Sequence, residues 1–512
     1  MKRLDPATGS SLLTVGVLAV VGLLLSVAAA IPQEGDTGGS GVLADPGSGA
    51  DEVVAGDIAA EGQGEGTGVG STEASGAAGK SSARTASGPA SKVASGPTGG
   101  AQAVECAKGR NGGSTDVGVT GDSIKLAATV VADGPGASFL APVRTGMNAV
   151  LRKVNARPDG VCGRRLDLVL RNDSWDPDRG QQYIKNFVEG EKVFALAVVP
   201  SSEGLRAADD YVRSKSVPVV GTDGMLIHQY LNPWIWPVAT STISAMHIMA
   251  KDAHDRGARH FGIVFDAKYH FGVEGAYAYN QAVKRLTGQD IGGYDTSLKS
   301  CRLQFCGLQP GKPSYSQEAN SFNQDCLASR RECDFVAVLL EPDTAVSFFG
   351  AVGTTAVQYG LGGAQPLFNR VLGENCRKAC DGMRVWTGYN PPIEDLATQP
   401  AVAKYVSDVR AESNSADVTN QFLEGGYVGM SLLVAALDKV GPTLTRNNLK
   451  AVLDNMDFDI GLSSPLSWRP GNHFANKAAQ SFEIQYKQAF NGWRRTSGFL
   501  VDPWVGQDIA EE

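Results

Sequence analysis

Short, near-continuous apolar runs that alternate with amphipathic stretches constrain this chain more than any other feature. From Asp116 onward the runs are SIKLAATVV (Ser123–Val131), RLDLVLRND (Arg165–Asp173), VFALAVV (Val193–Val199), VPVVG (Val217–Gly221), HFGIVFD (His260–Asp266), DFVAVLLE (Asp334–Glu341) and MRVWTGY (Met383–Tyr389). A strand wetted on one face alternates apolar and polar residues, whereas a strand covered on both faces does not. These runs are of the second kind. Between them stand helical stretches such as PVRTGMNAVLRKVNA, RGQQYIKNFVEGE, EGAYAYNQAVKRL and FLEGGYVGMSLLVAALDKV. That succession predicts βαβ units with right-handed crossovers and parallel sheets, an α/β fold.

The N-terminal region is of another kind. Lys2 and Arg3 precede an uncharged run from Leu12 to Ile31 that ends in Ala28-Ala29-Ala30 before its last residue. A basic start, an apolar middle and small residues fit an export signal with a cleavage site. A run of about 20 residues also spans a bilayer. Residues 1–31 are therefore a signal peptide or an uncleaved membrane anchor, and in both cases the remainder is exported. Residues 32–115 read as a disordered linker, rich in Gly, Ser, Ala and Pro as far as Gln102. Such a composition buries too little apolar surface to offset its chain entropy. A tether through a cell-wall layer and a spacer of no particular length are the two readings of it.

The cysteines agree with export. Cys106, Cys162, Cys301, Cys306, Cys326, Cys333, Cys376 and Cys380 are even in number, which in an exported chain reads as disulfides. Pairing of sequence neighbours is the simplest connectivity among the alternatives. Zinc is the competing reading, but there is no CxxC pair and no His at ligand spacing. Cys106 lacks the preceding apolar residues of a lipoprotein box. The net charge of −8 comes without a clustered basic face, which excludes a nucleic-acid partner. No cofactor is called for.

Polar, glycine-rich and aromatic residues gather just past the apolar runs. Val199 is followed by Pro-Ser-Ser, Val220 by Gly-Thr-Asp-Gly, Asp266 by Ala-Lys-Tyr-His-Phe-Gly and Leu340 by Glu-Pro-Asp. In open α/β sheets ligands bind outside the carboxyl ends of the strands, and helix-start amides there hold anions. A small-molecule cleft is the expectation.

The order of the segments is then familiar. DVGVTGDSIKLAATVVADGPGASFLAPVRTGMNAVLRKVNA followed by GVCGRRLDLVLRNDSWDPDRGQQYIKNFVEGEKVFALAVVPSSEGLRAADDYVRSKSVPVVGT resembles the type I periplasmic binding proteins. The leucine/isoleucine/valine-binding proteins that serve ABC transporters are the nearest in kind. The resemblance runs from Asp116 to about Trp504 and includes GYVGMSLLVAALDKVGPTLTRNNLKAVL. It implies two doubly wound lobes joined by a three-crossover hinge. Lobe 1 would hold 116–238 and 389–456, and lobe 2 would hold 239–388 and 457–505. A small solute, an amino acid or a related amphipathic compound, would be captured between them and passed to an ABC permease.

Carried over by position, the serine that holds a ligand carboxylate matches Ser201, with Ser202 beside it. The backbone donors of the next strand end match Thr222, Asp223 and Gly224. The usual aromatics match Phe139 and Phe271, and the acidic residue that meets a ligand ammonium matches Glu341 or Asp343. Phenylalanine at both aromatic positions removes two hydroxyl partners. Pro237 and Val238 replace an arginine common where lobe 2 begins, and the cysteine loops at 301–333 lie outside the pattern. The amino-acid assignment is accordingly weaker than that of a small polar or amphipathic solute.

Each of these residues has a plainer role open to it. Ser201 and Ser202 suit a helix N-cap. Asp223 suits a local turn, and Phe139 and Phe271 suit the core. Glu341 and Asp343 suit a helix start. Tyr269 is expected on a solvent-facing loop, His247 and His254 at the surface or half-buried on a helix, and GLGGA at Gly360–Ala364 as a loop. Two other functions compete. A membrane-tethered sensing ectodomain would use the same fold without transport. A serine hydrolase would use Ser202 as nucleophile with Asp457 or Asp459 and His473, but Pro200 stands where the strained elbow needs a small residue.

Overall fold

The computed structural model describes residues 106, 109–291, 301–302, 305–322, 333–353 and 360–509. The expectations for residues 1–31, for most of the linker and for Cys326 lie outside these residues, as does the side chain of Cys301. Each of the seven apolar runs contains a strand. The first five strands are β1 (Ser123–Val130), β2 (Arg165–Asn172), β3 (Ala195–Ala197), β4 (Val219–Thr222) and β5 (Ile235–Pro237). They form a sheet in the order β2-β1-β3-β4-β5, and every pairing is parallel.

The second sheet is built from β6 (Phe261–Asp266), β7 (Cys301–Arg302), β8 (Phe305–Leu308), β9 (Phe335–Leu339), β10 (Gly360–Gly363) and β11 (Arg384–Thr387). A short pair, β12 (Asp457–Phe458) and β13 (Leu466–Ser467), stands apart from it. β14 (Ala478–Tyr486), β15 (Phe490–Arg495) and β16 (Leu500–Val501) complete the second sheet. Its order is β15-β14-β11-β10-β9-β6-β8-β7, with β16 also paired to β14. The pairings among β6, β8, β9, β10 and β11 are parallel, while β7, β14, β15 and β16 pair antiparallel. In both sheets the strand order reverses direction, at β1/β3 and at β6/β9, and the carboxyl ends at those points are where a crevice opens.

The helices begin and end where their flanking residues dictate. Asp176 accepts from Arg179 N at 2.8 Å to start Pro177–Glu189, with proline at the first turn. Asn420 accepts from Phe422 N and Leu423 N at 2.9 and 3.0 Å to start Gln421–Val440. That helix lies against β4, and Gly429 meets Gly221 backbone to backbone. Gly221 has φ +85°, so a side chain there would be strained as well as blocked.

Gly360–Gly363, expected as a loop, is the strand β10. The absent side chains erase the apolar signal of a strand. They also make the strand possible, because a Cβ on Gly362 would collide with Phe335, Met249 and Trp386.

Three passages of chain join the lobes near Val238, Gly388 and Asn476. Asn476 Nδ2 donates to Val238 O at 3.2 Å and to Gly388 O at 3.4 Å, so one side chain touches the other two passages. Thr240 Oγ1 donates to Ala478 O at 2.7 Å, and Gln480 Nε2 donates to Tyr389 O at 2.7 Å.

Two further expectations need correction. The linker does not extend to residue 115. Cys106 is bonded to Cys162, Asn111 is buried, and the buried Arg164 donates to Gly113 O at 3.0 Å and to Thr120 O at 2.7 Å. His247 is fully buried rather than half-buried or at the surface, its ring 3.1 Å from Asp502 Oδ1 and 2.9 Å from Asp508 Oδ2. Those contacts fasten the C-terminal segment to helix Thr242–Asp255. Cys376 is bonded to Cys380, and Cys306 and Cys333 are disulfide-bonded as well.

Candidate functional site

The strand ends of the first lobe carry the residues around which a site would form. Beyond β3 the backbone turns through Val198, whose φ is +49°, and Pro200 into helix Ser202–Ala207. Ser201 stands at the N-cap position, yet its side chain makes no capping hydrogen bond, contrary to the sequence expectation. Its hydroxyl is buried and lies near Asp173 without a well-aligned partner. Burial pushes the Asp173 carboxyl up to about 6, opposed by Ser201, the Trp175 amide and Thr129. Ser202 Oγ accepts from Trp175 Nε1 at 3.3 Å.

Trp175 is the residue that sequence reasoning missed. It follows β2 in a turn where both Ser174 and Trp175 have positive φ, 53° and 62°. Asp173 Oδ1 accepts from the Trp175 amide at 3.0 Å and fixes the turn. The indole thereby reaches across to the second lobe and stacks on Tyr269, with ring centroids 4.2 Å apart and 22° between planes. Phe271 is stacked at 6.1 Å, and Phe139 meets the indole edge-on at 5.6 Å. Phe139 also packs on Phe422 at 5.1 Å. Phe139 and Phe271, expected to face a ligand, enclose the chain's own tryptophan instead. Tyr269 is buried, not solvent-facing.

Polar contacts join the same two walls. His270 N donates to Glu203 Oε1 at 2.9 Å, and its Nδ1 lies 2.7 Å from Glu203 Oε2. The Arg206 guanidinium, which can only donate, meets His270 Nε2 at 2.6 Å, so Nδ1 carries the proton toward Glu203. Ile227 N donates to Glu274 Oε2 at 2.9 Å. His270→Ala keeps the backbone bond and removes the half-exposed imidazole contacts. A loss of about 1 kcal/mol is expected in urea denaturation at fixed pH.

The loop after β4 is occupied by its own neighbour. Gln229 Oε1 accepts from Gly224 N at 3.0 Å and from the Thr222 hydroxyl, so that amide and that hydroxyl are already used. Asp223 Oδ1 accepts from Gln229 Nε2 at 2.9 Å and from Met225 N at 3.1 Å, while Oδ2 is unpartnered. Asp223 is half-buried by surface, but it borders a space too narrow for bulk hydration. Desolvation pushes its carboxyl up to about 7.

That space is a narrow recess lined by Val143, Val198, Pro200, Gly221, Asp223 and Gln365, and by Tyr389, Gln421, Phe422, Gly425 and Gly426. The Tyr389 hydroxyl is buried without a partner. Burial, then the Glu424 and Asp223 carboxyls, hold its pKa well above the usual tyrosine value.

A family model described as periplasmic binding protein matches residues 123–489. The chain belongs to the periplasmic binding protein family. Solved structures agree in fold. A possible leucine/isoleucine/valine-binding protein from Rhodopirellula baltica SH 1 is 16% identical, covering 73% of this chain and 96% of that one at a TM-score of 0.62. A fatty acid ABC transporter substrate-binding protein from Thermomonospora curvata is 17% identical, with 76% and 95% covered at 0.61. A solute-binding protein from R. palustris in complex with 4-hydroxybenzoate is 15% identical, with 74% and 98% covered at 0.60. No curated protein matches the sequence.

In this periplasmic binding protein the nine expected ligand residues divide sharply. Asp223 lines the recess. Ser202, Phe139 and Phe271 surround Trp175, Ser201 lies near Asp173, and Thr222 and Gly224 hold Gln229. Glu341 caps helix Pro342–Val352, accepting from Asp343 N at 3.0 Å and Thr344 N at 2.7 Å, and Asp343 is exposed. The recess residues Gln365, Tyr389 and Gln421 were not found from sequence. Tyr389 ended a recognised strand, but no pattern marks an unpartnered hydroxyl.

The hydrolase constellation is not assembled. His473 Nδ1 lies 2.6 Å from Ile235 O and its Nε2 3.3 Å from Asp454, while Asp457 binds Ser467 and Arg469 and Asp459 accepts from Gly461 N. Among the described residues no helix is long and apolar enough to cross a membrane.

Proposed function

We propose that this chain is an extracytoplasmic solute-binding protein that holds a small molecule between lobe 1 (116–238 and 389–456) and lobe 2 (239–388 and 457–505). It delivers that solute to an ABC-type permease. The observation that carries the reading is the recess at the crossover side of the cleft, where Asp223 Oδ2 and the Tyr389 hydroxyl are buried and unpartnered. Buried polar atoms without partners are costly, and a solute that satisfies them binds the closed form in preference to the open one. Family membership supports binding over catalysis.

A thermal-shift panel of amino acids, fatty acids, aromatic carboxylates, amines and sugars tests the reading on the full chain. A solute at a hundred times its Kd is expected to stabilise by about 2.7 kcal/mol and to raise Tm accordingly. No shift with any class, together with ester hydrolysis abolished by Ser202→Ala, would replace this reading with a hydrolase.

A further inference from the structure

The recess differs chemically from a carboxylate clamp. Its lining includes neither Lys nor Arg. The Thr222 hydroxyl and the Gly224 amide, which would otherwise face an anion, are turned onto Gln229. What the recess offers are oxygen atoms. Asp223 Oδ2 accepts nothing, Tyr389 Oη has no partner, and both atoms are buried. Gln229 and the Met225 amide hold Asp223 by its other oxygen, so the free one cannot swing away to water. The rest of the wall, Val143, Val198, Pro200 and Phe422 with the helix glycines, is apolar.

We propose that the recess takes a small apolar primary amine, whose ammonium donates to Asp223 Oδ2 and Tyr389 Oη while its carbon skeleton lies against Val143, Val198 and Phe422. This rests on the solute-binding reading and specifies its ligand class. An ammonium supplies donors to two unpaired oxygens and charge to a carboxylate that burial otherwise penalises. A carboxylate ligand would meet Asp223 with no cation to offset the repulsion.

Isothermal titration of the full chain with benzylamine and 3-methylbutylamine, against benzoate, 3-methylbutanoate and leucine, decides the matter. The amines are expected to bind, and Asp223→Asn to weaken them at least tenfold. Tyr389→Phe should weaken them several-fold. Both variants are near-isosteric, and an unchanged circular dichroism spectrum with a single cooperative melt certifies their fold. Binding of the carboxylates without the amines overturns the amine assignment and leaves solute binding standing. So does amine binding that neither substitution alters, since the amine then sits elsewhere. If neither class binds and no solute of the wider panel shifts Tm, the solute-binding reading falls too.

Discussion

Replacing Trp175 with alanine is expected to destabilise the protein by about 4 kcal/mol and to create a site for aromatic solutes between the lobes. The indole is almost fully buried, stacks on Tyr269 at 4.2 Å and packs against Phe139 and Phe271. Truncation loses those contacts and its hydrogen bond to Ser202, and leaves a space with aromatic walls. Because the walls of that space come from both sheets' loops, part of the cost is lost contact between them. Urea denaturation reads the first effect. Added indole reads the second, restoring part of the stability of the variant while leaving the parent unchanged. A loss under 1 kcal/mol would mean that Trp175 fills no essential space.

Asp266→Asn is expected to change sign with pH. Asp266 ends β6 with its carboxyl fully buried, Oδ1 accepting from Lys268 N and Tyr269 N and Oδ2 unpartnered. Desolvation, with Glu341 adding repulsion, pushes it up to about 7 from 3.8. The folded value lies above the unfolded one, so its stabilising share is complete below pH 3.8. It is lost as pH rises toward 7 and stays lost above that. A shift of about 3 units corresponds to about 4 kcal/mol at pH 8. Asparagine keeps the oxygen that accepts from the two amides and carries no charge, but its amide group faces the unpartnered position at a cost of about 1–2 kcal/mol. The variant should therefore exceed the parent by about 2 kcal/mol at pH 8 and fall below it at pH 4. Equal differences at both pH values would show that Asp266 does not titrate in this range.

The sheets were legible because a strand covered on both faces leaves a continuous apolar run, and all seven runs contain strands. β10 left no such mark, since Gly360–Gly363 makes room for its neighbours' side chains rather than contributing its own. The site was far less legible. Position along the strands led to Ser201, Phe139 and Phe271. What Phe139 and Phe271 touch is decided by Trp175, which arrives from the turn after β2. Likewise Gly224 and Thr222 looked available until Gln229, in the short helix that follows the loop, folded back on them. Chain order locates the strand ends. Only packing says which polar atoms remain unsatisfied.

The passages around Val238, Gly388 and Asn476 carry a consequence for dissection of the molecule. The first sheet is complete by Pro237, but the helix that covers β4, Gln421–Val440, arrives only after the chain has crossed and returned. No uninterrupted stretch of sequence therefore contains a whole lobe. A fragment ending near residue 237 would display the bare face of β4 to water and be expected to aggregate. A protease nick at any single passage would leave two polypeptides with no covalent bond between them, held together because each lobe is built from both, so the clipped protein should elute from a sizing column at its original volume and separate only on denaturation.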